Sequence, residues 1–125
     1  MAMRRRLRVL FVCAMNKRRS TTAERIYRDD PRVEVRSAGV RSEAPRRVSA
    51  KDLGWADVVF AMEREHKRRI AEQFPSVALP PVEVLDIPDD YECMDPELQR
   101  MLRAMLDPEI DHRAALLEGA DAGDE

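Results

Sequence analysis

The sequence predicts an α/β fold in which short buried strands alternate with helices. Three observations predict it. Four short runs rich in β-forming residues recur at 7–12, 33–36, 57–62 and 82–87. Segments with helix-start signals lie between and after them. The 125 residues, 44% hydrophobic and 37% charged, suit one compact domain with a single core and a heavily solvated surface. Strands joined through helices pair in parallel by right-handed crossovers, and ligands of such open sheets bind at the carboxyl ends of the strands.

Leu-Arg-Val-Leu-Phe-Val at 7–12 has the apolar run of a central strand covered on both faces. After the polar stretch 14–19, Ser20-Thr21-Thr22-Ala23-Glu24 reads as a helix start, with Ser20 as cap. That helix should run to about Arg28 before Asp29-Asp30-Pro31 ends it. Residues 33–36 make a second strand, closed by a turn around Gly39. A helix over 48–55 takes Ser49 as its cap. Residues 57–62 form a third buried strand, and 63–74 a helix bounded by Pro75. The Pro80-Pro81 break precedes the fourth strand at 82–87. Asp95 caps a last helix with Pro96 at its first position, and Leu98, Met101, Leu102 and Met105 share one of its faces. The acidic end, 119–125, is expected to be a disordered tail, leaving 1–118 as a single domain.

Several function classes are excluded by charge and cysteine usage. A formal net charge of -2 argues against a surface that attracts nucleic acid or acidic membranes as a whole. The basic residues are nevertheless crowded, with Arg4, Arg5, Arg6, Arg8, Lys17, Arg18 and Arg19 near one end. A local anion site in a nearly neutral protein is the consequence. The run 64–69 is basic but lacks interleaved aromatics and makes a poor nucleic-acid platform. Two cysteines give no disulfide framework, and the apolar run 9–14 is too short for a signal peptide or a membrane span. A cytoplasmic protein with reduced thiols is expected. His66, in a charged helix, is expected at the surface. With His112, Cys13 and Cys93 it forms no recognisable metal spacing, so neither metal nor other cofactor is expected.

Cys13-Ala14-Met15-Asn16-Lys17-Arg18-Arg19-Ser20 has the parts of a phosphate site between a strand and a helix. Backbone amides of such a loop converge on an anion, and the helix N-terminus adds positive potential. Arg19 can grip two phosphate oxygens with its planar fork. Cys13 lies beneath that cage, where a thiolate is favoured and is aimed at a bound phosphoryl group. Ser20 can donate to its sulfur. Displacing an alkoxide or phenoxide also needs a proton donor. Asp89, on the loop after the fourth strand, is the candidate, with Asp86 and Asp90 as neighbours.

The loop resembles Cys-x-x-Asn-x-x-Arg-Ser of the low-molecular-weight protein tyrosine phosphatases. Ser37-Ala38-Gly39, then Trp55-Ala56-Asp57-Val58-Val59-Phe60-Ala61-Met62, then Asp86-Ile87-Pro88-Asp89-Asp90-Tyr91 follow in the family's order. The likeness covers roughly 7–106 and is nearest to the family's short bacterial branch of predicted phosphatases. It implies a three-layer, flavodoxin-like phosphatase fold with a four-stranded parallel sheet flanked by helices. It also implies a cysteinyl-phosphate mechanism without metal. By the same resemblance Cys13 is the nucleophile, Arg19 the phosphate clamp and Asp89 the general acid. Asn16 is the left-handed loop residue, Ser20 and Ser37 hold the loop, and Tyr91 forms an aromatic wall. Met15 and Arg18 stand where many members carry glycine and a second cysteine. The segment 40–45 lacks the family's slot-lining aromatic and bracing histidine. The implied substrate is a phosphorylated protein or small aryl phosphate. Arsenate reduction, with Cys93 as the only further thiol, and a slow anion-binding regulatory domain are the competing readings.

Overall fold

A computed structural model describes residues 5–123; the expectations for Arg4 and for the final Asp124 and Glu125 lie outside the described residues. Four strands, β1 (Leu7–Cys13), β2 (Val33–Gly39), β3 (Val58–Ala61) and β4 (Val82–Val84), alternate with α1 (Arg19–Tyr27), α2 (Ala50–Trp55), α3 (Arg64–Gln73) and α4 (Pro96–Gly123). Every pairing is parallel and the order is β2-β1-β3-β4. The expected four-stranded parallel sheet flanked by helices is present.

The layering follows from the two-residue period of β1. Leu7, Val9, Phe11 and Cys13 pack with Ala23 and Tyr27 of α1 and with Leu98, Leu102, Leu106 and Ile110 of α4. Leu10 and Val12 point the other way, to Leu53 of α2 and Ile70 of α3. Phe11 stacks on both Tyr27 and Phe60, with centroids 6.3 and 6.1 Å away. Each such large apolar side chain contributes about 1.5–3 kcal/mol on burial. Because β2 and β3 flank β1 on opposite sides, the chain leaves β1 at the point where strand order reverses, which opens a crevice at Cys13.

Several boundaries differ from expectation for identifiable reasons. The fourth strand stops at Val84 because Asp86 adopts φ 56, which breaks the pleat, although Leu85 and Ile87 still bond to Ala61 and Met62. β2 runs on to Gly39, so the expected turn there is paired strand. Along α4 the buried stripe is Leu98, Leu102, Leu106 and Ile110, while Met105 is 39% exposed; the i, i+4 row outranks the face that included Met105. The helix also passes Pro108 and Gly119 and reaches Gly123, where a disordered tail was expected from 119. Ile110 buried beyond Pro108 holds the first break, and the strong helix formers at 114–118 carry the second.

Ser49 and Asp95 do cap. Ser49 Oγ accepts from Asp52 N–H at 3.1 Å, and Asp95 Oδ1 accepts from Glu97 N–H at 2.8 Å.

Candidate active site

The loop 14–18 turns β1 into α1 and folds back over the last residue of the strand. Asn16 makes the turn possible with φ 56, a left-handed conformation that asparagine tolerates. Its amide thereby donates to Cys13 Sγ at 3.2 Å. Ser20 Oγ lies 3.0 Å from the same sulfur and 2.9 Å from Asn16 Oδ1. One hydroxyl carries one proton, so a sulfur anion and the Asn16 carbonyl compete for it. Ser20 is not the helix cap that its sequence position suggested. Arg18 holds that position without a side-chain cap bond, and Ser20 is buried in the first turn, facing the sulfur.

The end of β2 holds the loop from behind. Val40 N–H donates to Cys13 C=O and Arg41 N–H to Ala14 C=O, each at 3.0 Å. Gly39 permits that approach, since a Cβ there would stand 2.6 Å from Ala14 O and 3.1 Å from Asn16 N. Ser37, expected to hold the loop, instead donates to Glu24 Oε1 at 2.7 Å. It sits two residues before the loop contact and clips β2 to α1; the loop support comes from backbone at 39–41.

Arg19 is fixed from its far side. Its side chain is 3% exposed, and Nη1 donates to Glu63 Oε2 and to Ile87 C=O, both at 2.6 Å. Nε lies 3.7 Å from Asp89 Oδ1. Glu63, which the sequence reading passed over as the start of a charged helix, is the residue that orients the guanidinium. The available signal was its place one step past the third strand, at the edge where ligands of this architecture bind. His66 is buried, not at the surface as expected. Its Nδ1 accepts the Glu63 N–H at 3.1 Å across the first turn of α3, and its Nε2 lies 3.7 Å from Glu63 Oε2. Burial, with Arg19 nearby, lowers its pKa to about 4, so at neutral pH it is an uncharged brace behind the Glu63–Arg19 pair.

Cys13, Ala14, Met15, Lys17, Arg18, Arg19 and Asp89 line a cleft of about 240 Å³ over the sulfur. Among the described residues, the amides of Ala14, Met15, Lys17 and Arg18 find no acceptor within the chain. They remain as donors for an anion seated in the cleft. Asp89 supplies the carboxylate of the lining, with its side chain 58% exposed. Asp86 lines a different surface cavity with Arg64, Lys67 and Arg68, and Asp90 does not reach the cleft.

Tyr91 is not a wall of the cleft. It packs against the core, with its hydroxyl 3.4 Å from Met101 Sδ. Thr22 joins the two loops of the site, donating to Arg18 C=O at 2.6 Å and accepting from Met94 N–H at 2.9 Å. Cys93 lies 3.6 Å from Thr21 Oγ1 and does not line the cleft.

Among the described residues no three His, Cys, Asp or Glu side chains cluster as a metal ion would need. No helix there is long and apolar enough to cross a membrane. Cys13 and Cys93 are both free thiols.

No family model and no curated protein sequence matches the chain. Solved structures do. YwlE arginine phosphatase from Geobacillus stearothermophilus is 28% identical, with a TM-score of 0.66 over 95% of this chain and 97% of that one. A YwlE mutant from Bacillus subtilis is 25% identical, with a TM-score of 0.58 over 90% and 99%. The low molecular weight protein tyrosine phosphatase SP-PTP from Streptococcus pyogenes shares the fold at 14% identity, with a TM-score of 0.68 over 82% and 92%.

Proposed function

We propose that the chain is an enzyme of the low-molecular-weight protein tyrosine phosphatase type that hydrolyses phosphate monoesters through a phosphorylated Cys13, a reading supported by its loop motif and by its likeness to YwlE arginine phosphatase. One observation carries the proposal. The Cys13 sulfur, bonded by Asn16 N–H, lies at the floor of a cleft whose four loop amides, unpartnered among the described residues, and tethered Arg19 suit a phosphoryl dianion.

The chemistry follows from the groups at hand. Loop amides and Arg19 bind the three non-bridging oxygens and neutralise their charge. The sulfur anion attacks phosphorus in line with the ester oxygen, forming an S–P bond as the P–O bond breaks. Asp89 gives its proton to the departing oxygen. Water then attacks the cysteinyl phosphate, Asp89 takes a proton from it, and inorganic phosphate leaves with the thiolate restored. Ser20 Oγ, 3.0 Å from the sulfur, turns its proton from Asn16 Oδ1 to the sulfur anion at the start and end of the cycle.

The substrate class we place first is a phosphotyrosyl protein or small aryl phosphate, supported by the likeness to tyrosine phosphatases. Phosphoarginine, to which the YwlE name points, is its competitor. The proposed setting is the cytoplasm, where a free catalytic thiol stays reduced.

Hydrolysis of an aryl phosphate by the wild type beside Cys13→Ser tests the assignment. Turnover that vanishes in the variant is expected; turnover that persists would overturn the nucleophile. Thiol-dependent arsenate reduction without ester hydrolysis would favour the reductase reading. Phosphate binding with no turnover would favour a regulatory anion-binding domain.

A further inference from the structure

We infer that the cleft selects phosphomonoesters carrying a second anionic group beside the ester, and that Lys17 and Arg18 read that group. The inference rests on the phosphatase assignment above and adds the substrate's chemistry. The loop brings two kinds of group to the cleft. Its amides and Arg19 serve the phosphoryl oxygens. Lys17 and Arg18 are among the residues that line the same cleft, both are exposed, and neither the sulfur network nor the Arg19 tether employs their cationic side chains.

Their surroundings leave both charges available. Lys17 is exposed and has no ionic or hydrogen-bonded partner among the described residues. Arg18 has one acidic neighbour, Glu92, at 3.9 Å, and that side chain is 84% exposed. A pair so long and so solvated holds its arginine weakly. Asp89, the acid facing them across the cleft, is already within 3.7 Å of Arg19. Arg41 stands next to the loop, its amide on Ala14 C=O, and adds positive charge outside the cleft near Glu43.

The cleft offers little else to grip. Met15 and Ala14 are its apolar lining residues besides Cys13, and among the described residues no aromatic one lines it, since Tyr91 packs on α4. Recognition beyond the phosphoryl group therefore depends on charge. A carboxylate or second phosphate one to two bonds' reach from the ester meets two cations. A neutral ring meets only Met15, and a cationic group such as the guanidinium of phosphoarginine is repelled.

Phosphotyrosyl peptides flanked by acidic, neutral or basic residues, together with phosphoarginine, carboxyphenyl phosphate and phenyl phosphate, provide the test. Their kcat/KM values are compared at low and high salt in the wild type and in the double variant Lys17→Ala, Arg18→Ala. Acidic over neutral preference of about threefold to thirtyfold is expected at low salt, from two partly solvated charge contacts. It should shrink at high salt and collapse toward unity in the double variant. Preference within the peptide pair or within the small-ester pair each supports the inference and identifies where the second charge resides. No preference in either pair, or preference for basic peptides or phosphoarginine, overturns it while leaving the phosphatase assignment intact. If no ester is turned over, that assignment fails, and binding of the acidic and neutral peptides to Cys13→Ser still decides the selection: equal affinities refute it.

Discussion

Replacing Glu63 separates the positioning of Arg19 from the rest of the site. The carboxylate accepts a 2.6 Å charge-assisted bond from a guanidinium whose side chain is 3% exposed. Hydrogen bonds to charged groups contribute about 1.5–3 kcal/mol. Glu63 itself is 45% exposed, so water screens the pair and the low end applies. Glu63→Gln keeps the shape and one carbonyl acceptor, and Ile87 C=O still holds Nη1. The expected loss in kcat/KM for an aryl phosphate is about tenfold, equivalent to ~1.4 kcal/mol. Glu63→Ala, which leaves the guanidinium free to turn, should lose about thirtyfold or more. Vanadate inhibition is expected to weaken in parallel, since the proposed clamp uses the same fork for the oxyanion. The thermal midpoint should move little in Glu63→Gln. An alanine variant with unchanged kcat/KM and unchanged vanadate affinity would refute the positioning role.

Three further perturbations address other parts of the account. Asp89→Asn should slow esters with poor leaving groups by about 10²–10⁴-fold and activated aryl esters far less; equal losses across a leaving-group series would remove Asp89 as the acid. Gly39→Ala should cost about 1–3 kcal/mol in urea unfolding and lower activity, because its Cβ would meet Ala14 O at 2.6 Å and displace the loop; wild-type activity would contradict that packing. His66 titrates at 6.5 when unfolded and at about 4 when folded, so the unfolded chain binds the extra proton between those values. Stability is therefore expected to be full above about pH 6.5 and to fall toward pH 4, by on the order of 3 kcal/mol. His66→Gln should flatten this slope, and urea titrations at several pH values check it; an unaltered slope would refute the buried neutral histidine.

Much of the architecture was legible because local pattern and burial agree. The run 7–12 is apolar on both faces and does lie between two helical layers. Ser49 and Asp95 are caps on sequence grounds and cap in the fold. Errors arose where tertiary contacts override a local rule. Ser20 has a capping residue's identity, but its hydroxyl is engaged by Cys13 and Asn16 from outside the helix. His66 sits in a run of charges, yet the return of its ring to the Glu63 amide buries it. Tyr91 lies two residues from Asp89, but the chain turns between them, and its ring reaches α4.

Cys13, Arg19 and Asp89 could be proposed from the sequence because loop position and family motif coincide. Glu63 and Thr22 are harder to read, because each acts through a partner more than forty residues away in the chain, Arg19 in one case and Met94 in the other. Thr22 carries no local mark of such a contact, and Glu63 only its place just past the third strand. The sequence motif containing Ser37 pointed to the right strand end but to the wrong group, since backbone at 39–41, rather than the hydroxyl, braces the loop.

The most direct measurement is acid-quench mass spectrometry of the protein caught during turnover of an aryl phosphate. One phosphoryl group on the peptide containing Cys13, formed within a single turnover and absent in Cys13→Ala, is the expected result. Phosphate release with no phosphorylated Cys13 at any quench time, or phosphorylation of another residue at the turnover rate, would contradict the account.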